Sequence, residues 1–143
     1  MTTNTKPPVW FSIVAVLVLI WNALGVMAYI MQVTMTPEDL AALPADEQAL
    51  YTDLPTWYTA AFAIAVFGGA VASLAMVFRK AAAYALFMIS FAGILVQMVY
   101  NFFMSRAAEV YGPGGMIMPV MVLLIGAALI RLTKSAKGKG WLS

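Results

Sequence analysis

From Val9 to Gln32 the chain runs without a charged residue, and as a helix such a stretch reaches roughly 36 Å, enough to cross a bilayer core with some tilt. Nothing else in the sequence restricts the fold so strongly. Two more apolar runs follow, from about Thr56 to Phe78 and from about Ala81 to Met104, and a shorter one from about Met116 to Leu132. The chain of 143 residues is 10% charged, where soluble domains hold about 25%, so the charges are too few to coat a soluble surface. The expected fold is all-α: a single transmembrane domain over residues 1–143, an antiparallel bundle of four transmembrane helices. Its spans are placed at about 9–32, 56–78, 81–104 and 116–132, with a short helical outer loop at 33–55. Lys6 ahead of an apolar run, with Val26-Met27-Ala28 further on, has the outline of a signal peptide, but the run is too long for that and is read as a retained span.

The loop at 33–55 differs in kind, because it holds Glu38, Asp39, Asp46, Glu47 and Asp53, five of the six acids in the chain. Thr36-Pro37-Glu38-Asp39 combines an N-cap, a proline at the first helical position and acids in the first turn, which predicts a short helix through Leu43. Pro44 stops it, and a further turn or two follows to Tyr51. Between the second and third spans only Arg79-Lys80 intervenes, which forces an antiparallel hairpin. Gly112-Pro113-Gly114-Gly115 marks a turn before the fourth span. Pro119 sits near the start of that span, where it does least harm to helix hydrogen bonding. Lys134, Lys137 and Lys139 with two glycines read as a loose basic tail.

Lysine and arginine are sorted by side. Of the eight such residues, Lys6, Arg79, Lys80, Arg131, Lys134, Lys137 and Lys139 fall at one end of the expected bundle and Arg106 alone at the other. By the positive-inside rule both termini and the 79–80 turn are expected in the cytoplasm and the acidic loop outside. Trp10 and Trp141 on the inner side, and Tyr51, Trp57, Tyr58 and Tyr111 on the outer, suit two aromatic belts. This small, sorted charge gives no argument for nucleic acid; membrane lipids are the expected partners, together with a homo-oligomer or a larger membrane complex.

The chain contains no Cys and no His, so thiol redox chemistry, His-ligated haem and Cys/His zinc sites are excluded. No span carries an acid or a base in its interior, which argues against ion-coupled transport, since a driving ion binds such a group. The small multidrug exporters have a carboxylate within the first span; Asn22 stands near that depth here. The loop acids are explained by helix starts and solubility, so no enzyme activity, catalytic residue, cofactor or metal is expected. Met27, Met31 and Met35 recur every four residues, but the Met-rich exterior segment of Met-x-x-x-Met copper channels is missing, and the thioethers read as gap-fillers.

Uncharged polar groups remain. Asn22, Gly25, Tyr29 and Gln32 share one face of the first span, and Ser90, Gly93, Gln97 and Asn101 one face of the third. If these faces turn toward each other they line a polar site open to the outside; the plainer reading is interhelical hydrogen bonds of about 0.6 kcal/mol each. The ligand-site expectation names Asn22, Gln32, Gln97 and Asn101 as polar contacts, with Tyr29, Trp57 and Tyr100 as aromatic walls. In the second span Ala61, Ala65, Gly69 and Ser73 recur every four residues and read as a helix-packing stripe, where small side chains let a neighbouring backbone approach.

With Trp21-Asn22-x-x-Gly25, the loop helix, the run from Leu54-Pro55-Thr56-Trp57-Tyr58 to Gly68-Gly69, and Ser90 and Gln97-Met98-x-Tyr100, the chain resembles a group of small, mostly uncharacterised bacterial four-span proteins. Some members carry the label sugar transporter. The resemblance extends over nearly the whole chain and implies a bacterial inner membrane and a compact four-helix fold. The functional expectation is a transporter-like protein binding or passing a neutral polar ligand or lipid between spans one and three. The alternative is a non-catalytic accessory subunit of a larger membrane complex.

Overall fold

The computed structural model describes residues 5–52 and 54–143, so Asp53 lies outside the described residues. Among the described residues seven α-helices follow one another: α1 (Val9–Val33), α2 (Pro37–Ala41), α3 (Ala45–Thr52), α4 (Thr56–Val77), α5 (Ala82–Phe103), α6 (Ala107–Tyr111) and α7 (Ile117–Gly138), with a 3-10 turn at Pro113–Met116 before α7. Among the described residues there is no strand. Four helices, α1, α4, α5 and the segment Gly114–Gly138 that contains α7, are long and apolar enough to cross a membrane. Together they define an all-helical, multi-pass membrane protein.

The long helices pack in sequence order, α1 on α4, α4 on α5 and α5 on α7. The α4–α5 contact is the tightest, and its cause is visible in the side chains. A Cβ added to Gly93 of α5 would stand 2.8 Å from the Ala61 carbonyl oxygen and 2.9 Å from the Ala65 nitrogen of α4, so the two backbones nearly touch. Ser90 uses that closeness, donating its hydroxyl to the Ala65 carbonyl at 2.6 Å. Ala61, Ala65, Gly69 and Ser73 are all buried, and the stripe is consumed inside the chain. Lipid offers helices no hydrophobic drive to associate, so such close approach and its polar contacts are what hold them.

The main apolar core lies at the end that carries the termini. Phe11 and Ala15 of α1, Ala72 and Met76 of α4, Phe87 of α5 and Leu129 and Ala136 of α7 meet there. Leu142 completes it with no exposed surface. Here the structure corrects the expectation of a short fourth span followed by a loose basic tail. The helix continues past Leu132 to Gly138 because Thr133 and Ala136 face the core while Lys134 and Lys137 stay exposed, and cations suit a helix C-terminus. Gly140 then takes a φ of 78°. Its N–H donates to the Lys137 carbonyl and that of Trp141 to the Ala136 carbonyl, a Schellman turn that a glycine at this position favours. The turn throws Trp141 against Phe11 and Trp10.

The α4–α5 hairpin ends the same way with a less usual residue. Arg79 has a φ of 60°, its N–H donating to Met76 and that of Lys80 to Ala75. A left-handed conformation costs a side-chain-bearing residue about 1–2 kcal/mol. Arg79 offsets that cost through its guanidinium, which donates to the Thr5 carbonyl at 2.9 Å and the Trp141 carbonyl at 3.3 Å. Its own carbonyl accepts from the Ser143 N–H at 3.0 Å, and the Ser143 carbonyl accepts from Ala81. Three separate stretches of chain are thereby tied together at this end.

At the opposite end, Thr36 and Asp39 form a reciprocal capping box, with each side chain accepting from the other's N–H at 3.1 Å. The Thr36 N–H that it accepts, and next the Thr36 hydroxyl beside it, hold the Asp39 carboxyl below its ordinary pKa. The Arg106–Glu109 pair at 3.2 Å is highly exposed and adds little to stability.

Candidate functional site

The helices that hold the core at one end leave space at the other. α1 and α7 make no contact comparable to those of the sequential pairs. Toward the loops, a cleft of about 390 Å³ opens between them, with α4 and α5 as its floor. Trp21, Gly25 and Ala28 of α1 form one wall, and Met118, Pro119, Val122 and Gly126 of α7 the other. Phe62, Ala65 and Val66 of α4 and Phe87, Ile94 and Met98 of α5 line the floor. The polar exceptions are Asn22, Ser90, Gln97 and Asn101. Among the described residues, none that lines the cleft carries an acid or a base.

Asn22 reaches the cleft from α1 but is anchored to α4. Its amide nitrogen donates to the Val18 carbonyl and to Ser73 Oγ, both at 2.9 Å, and Ser73 in turn donates to the Gly69 carbonyl at 2.6 Å. The amide lies across Gly69, where an added Cβ would collide with Asn22 Oδ1 and stand 3.3 Å from Ser90 Oγ. Gln97, 9% exposed, meets the Tyr58 hydroxyl. Asn101 is half-buried, and among the described residues its amide makes only a long contact, 4.0 Å, with Met98 Sδ.

The remaining residues expected at the site lie elsewhere. Tyr29 packs edge-on against Phe62 and Phe67 of α4, Trp57 packs edge-on against Tyr100, and Tyr100 also lies tilted against Tyr58. Neither these three aromatics nor Gln32 lines the cleft. The polar faces of spans one and three are not bonded to each other; Asn22 and Ser90 each bond to α4, and the two faces come together where their oxygens converge at Gly69. Pattern alone places residues on a helical face but does not say which neighbour that face meets.

Sequence reasoning missed the α7 wall altogether. Its only signal is Gly126 in a run of large aliphatics, where a Cβ would stand 2.8 Å from the Phe91 ring and so would hold α7 away from α5. Met27 and Met31, expected as gap-fillers, are 52% and 65% exposed and project away from the core.

A scan of protein-family models and searches of curated proteins and solved structures give no match to this chain. Fold and cleft therefore define it: a four-helix, multi-pass membrane protein with a mainly apolar cleft marked by uncharged polar groups.

Proposed function

We propose that this chain is a bacterial inner-membrane protein, both termini cytoplasmic, that binds or passes a neutral polar ligand or lipid through the cleft between α1 and α7. One observation carries the reading: Asn22, Gln97 and Asn101, from two helices that each pack on α4, open on a single cleft whose other walls are apolar. Small-molecule sites have this character, apolar surfaces with a few placed polar groups in about 300–1,000 Å³. An ionic ligand is disfavoured because no partner charge lines the cleft, and an unpaired charge there would be expensive. The orientation rests on the sorting of Lys and Arg, and the bacterial inner membrane on the resemblance of sequence.

The accessory-subunit alternative has less support. An interaction surface built on Ala61, Ala65, Gly69 and Ser73 would have to be exposed, and all four are buried. The reading is tested by substituting Asn22 and Gln97 together with leucine, which keeps similar volumes, and comparing bound small molecules by native mass spectrometry after gentle extraction. Loss of bound material from a folded double variant is the expected result. Unchanged retention would remove the cleft as the site and favour the accessory role.

A further inference from the structure

The polar groups deepest in the cleft have already committed their hydrogens. Both amide hydrogens of Asn22 are used, one on the Val18 carbonyl and one on Ser73 Oγ. The amide cannot be turned over, because the Val18 carbonyl only accepts, and Ser73 has given its single hydrogen to the Gly69 carbonyl and must accept in turn. The end facing Gly69 is therefore fixed as the carbonyl oxygen, Oδ1. Ser90 has likewise given its hydrogen to the Ala65 carbonyl, which leaves only lone pairs on its Oγ. Both oxygens converge over the bare Cα of Gly69, and both residues line the cleft.

We propose that Asn22 Oδ1 and Ser90 Oγ form an acceptor pair that selects a neutral lipid carrying a hydroxyl group, which donates its hydrogen to them. The inference rests on the cleft being the binding site and adds the chemical class of its ligand. An ether or ester oxygen meets only lone pairs at this point and gains no hydrogen bond there. An alkylammonium could donate, but it would bring a charge that nothing in the cleft pairs. A single flexible chain fits along Ile94, Val122 and Met98, with its hydroxyl at the acceptor pair.

The test uses the unmodified, full-length protein in detergent and four probes of equal chain length: dodecanol, dodecyl methyl ether, dodecane and dodecylammonium. Binding is followed by native mass spectrometry and by the thermal shift each probe produces. Dodecanol is expected to bind at least tenfold more tightly than the ether or the ammonium, and Ser90→Ala is expected to shrink the alcohol-to-ether ratio toward one while ether binding stays as it was. Equal binding of alcohol and ether would overturn the acceptor-pair proposal and leave the cleft as a site, water being enough for the two oxygens. A preference for the alcohol that survives Ser90→Ala unchanged would overturn the assignment of the pair. No binding of any probe would sink both the pair and the cleft reading beneath it.

Discussion

Asn22 on α1 donates to Ser73 Oγ on α4 at 2.9 Å, and the contact exists because Gly69, one turn before Ser73, has no side chain to keep the amide away. A polar residue near the middle of a span is thereby bonded inside the protein rather than left against lipid, where its unmade hydrogen bonds would be costly. It also sets the distance between α1 and α4 at the level of the cleft.

Gly69→Ala is expected to expel the Asn22 amide and cost about 1–3 kcal/mol, through overpacking and a lost hydrogen bond. Gly68→Ala is the matched control. Its new Cβ would meet Ser90 atoms at 3.4 Å, an ordinary contact, and alanine is the better helix former by about 0.5–1 kcal/mol. Gly69→Leu should damage assembly far more than Leu74→Ala, since Leu74 is 44% exposed. Melting in one detergent measures all four variants; equal midpoints for the two alanine variants at 68 and 69 would show that the Asn22 contact does not hold α1.

At Arg79, glycine relieves the left-handed backbone but loses both side-chain bonds to Thr5 and Trp141. Bonds from a charged donor contribute about 1.5–3 kcal/mol each when shielded and less here, where one is exposed. Arg79→Gly should therefore keep the end of α4 and loosen the segment after Gly138. Hydrogen exchange at Ser143 and proteolysis beyond Lys139 should rise. An unchanged exchange rate at Ser143 would show that the backbone bonds alone hold the segment.

Reporter fusions at Ser143 and at Lys80 should read cytoplasmic, and one placed within Ala41 to Asp46 should read periplasmic. This follows from the seven-to-one distribution of Lys and Arg between the two ends. A periplasmic reading at Ser143 would reverse the orientation on which the direction of ligand entry depends.

Asp39 should titrate below the ordinary aspartate value, because its charged form accepts the Thr36 N–H. With the folded pKa depressed, the capping box stabilises α2 above the unfolded pKa, and that contribution disappears as pH falls through the folded one. Carboxyl chemical shifts in a labelled sample report the midpoint. Thr36→Ala removes the Thr36 hydroxyl but keeps its N–H, so the Asp39 midpoint should rise only part of the way; no rise at all would mean the side chain of Thr36 contributes nothing to the shift.

Much of the fold is legible in the residues themselves. Runs such as Val9 to Gln32 leave an apolar chain no stable state but a helix in lipid, because each backbone N–H and C=O must be bonded within its own segment. Thr36-Pro37-Glu38-Asp39 carries its short helix in local chemistry alone, and Arg79-Lys80 allows nothing but a hairpin. What tertiary structure decided is which faces meet. The amides of α1 and α5 share their faces with Gly25 and Gly93, and nothing in their spacing says that both helices pack on α4. That choice follows from Gly69 of α4, whose missing side chain admits Asn22, and from Gly93 of α5, whose missing side chain admits the α4 backbone. The α7 wall of the cleft, and the burial of Leu142 by the turn at Gly140, likewise arise only when distant segments pack. Helical periodicity fixes directions within one helix, while the choice of neighbour depends on the fit of surfaces from several helices at once.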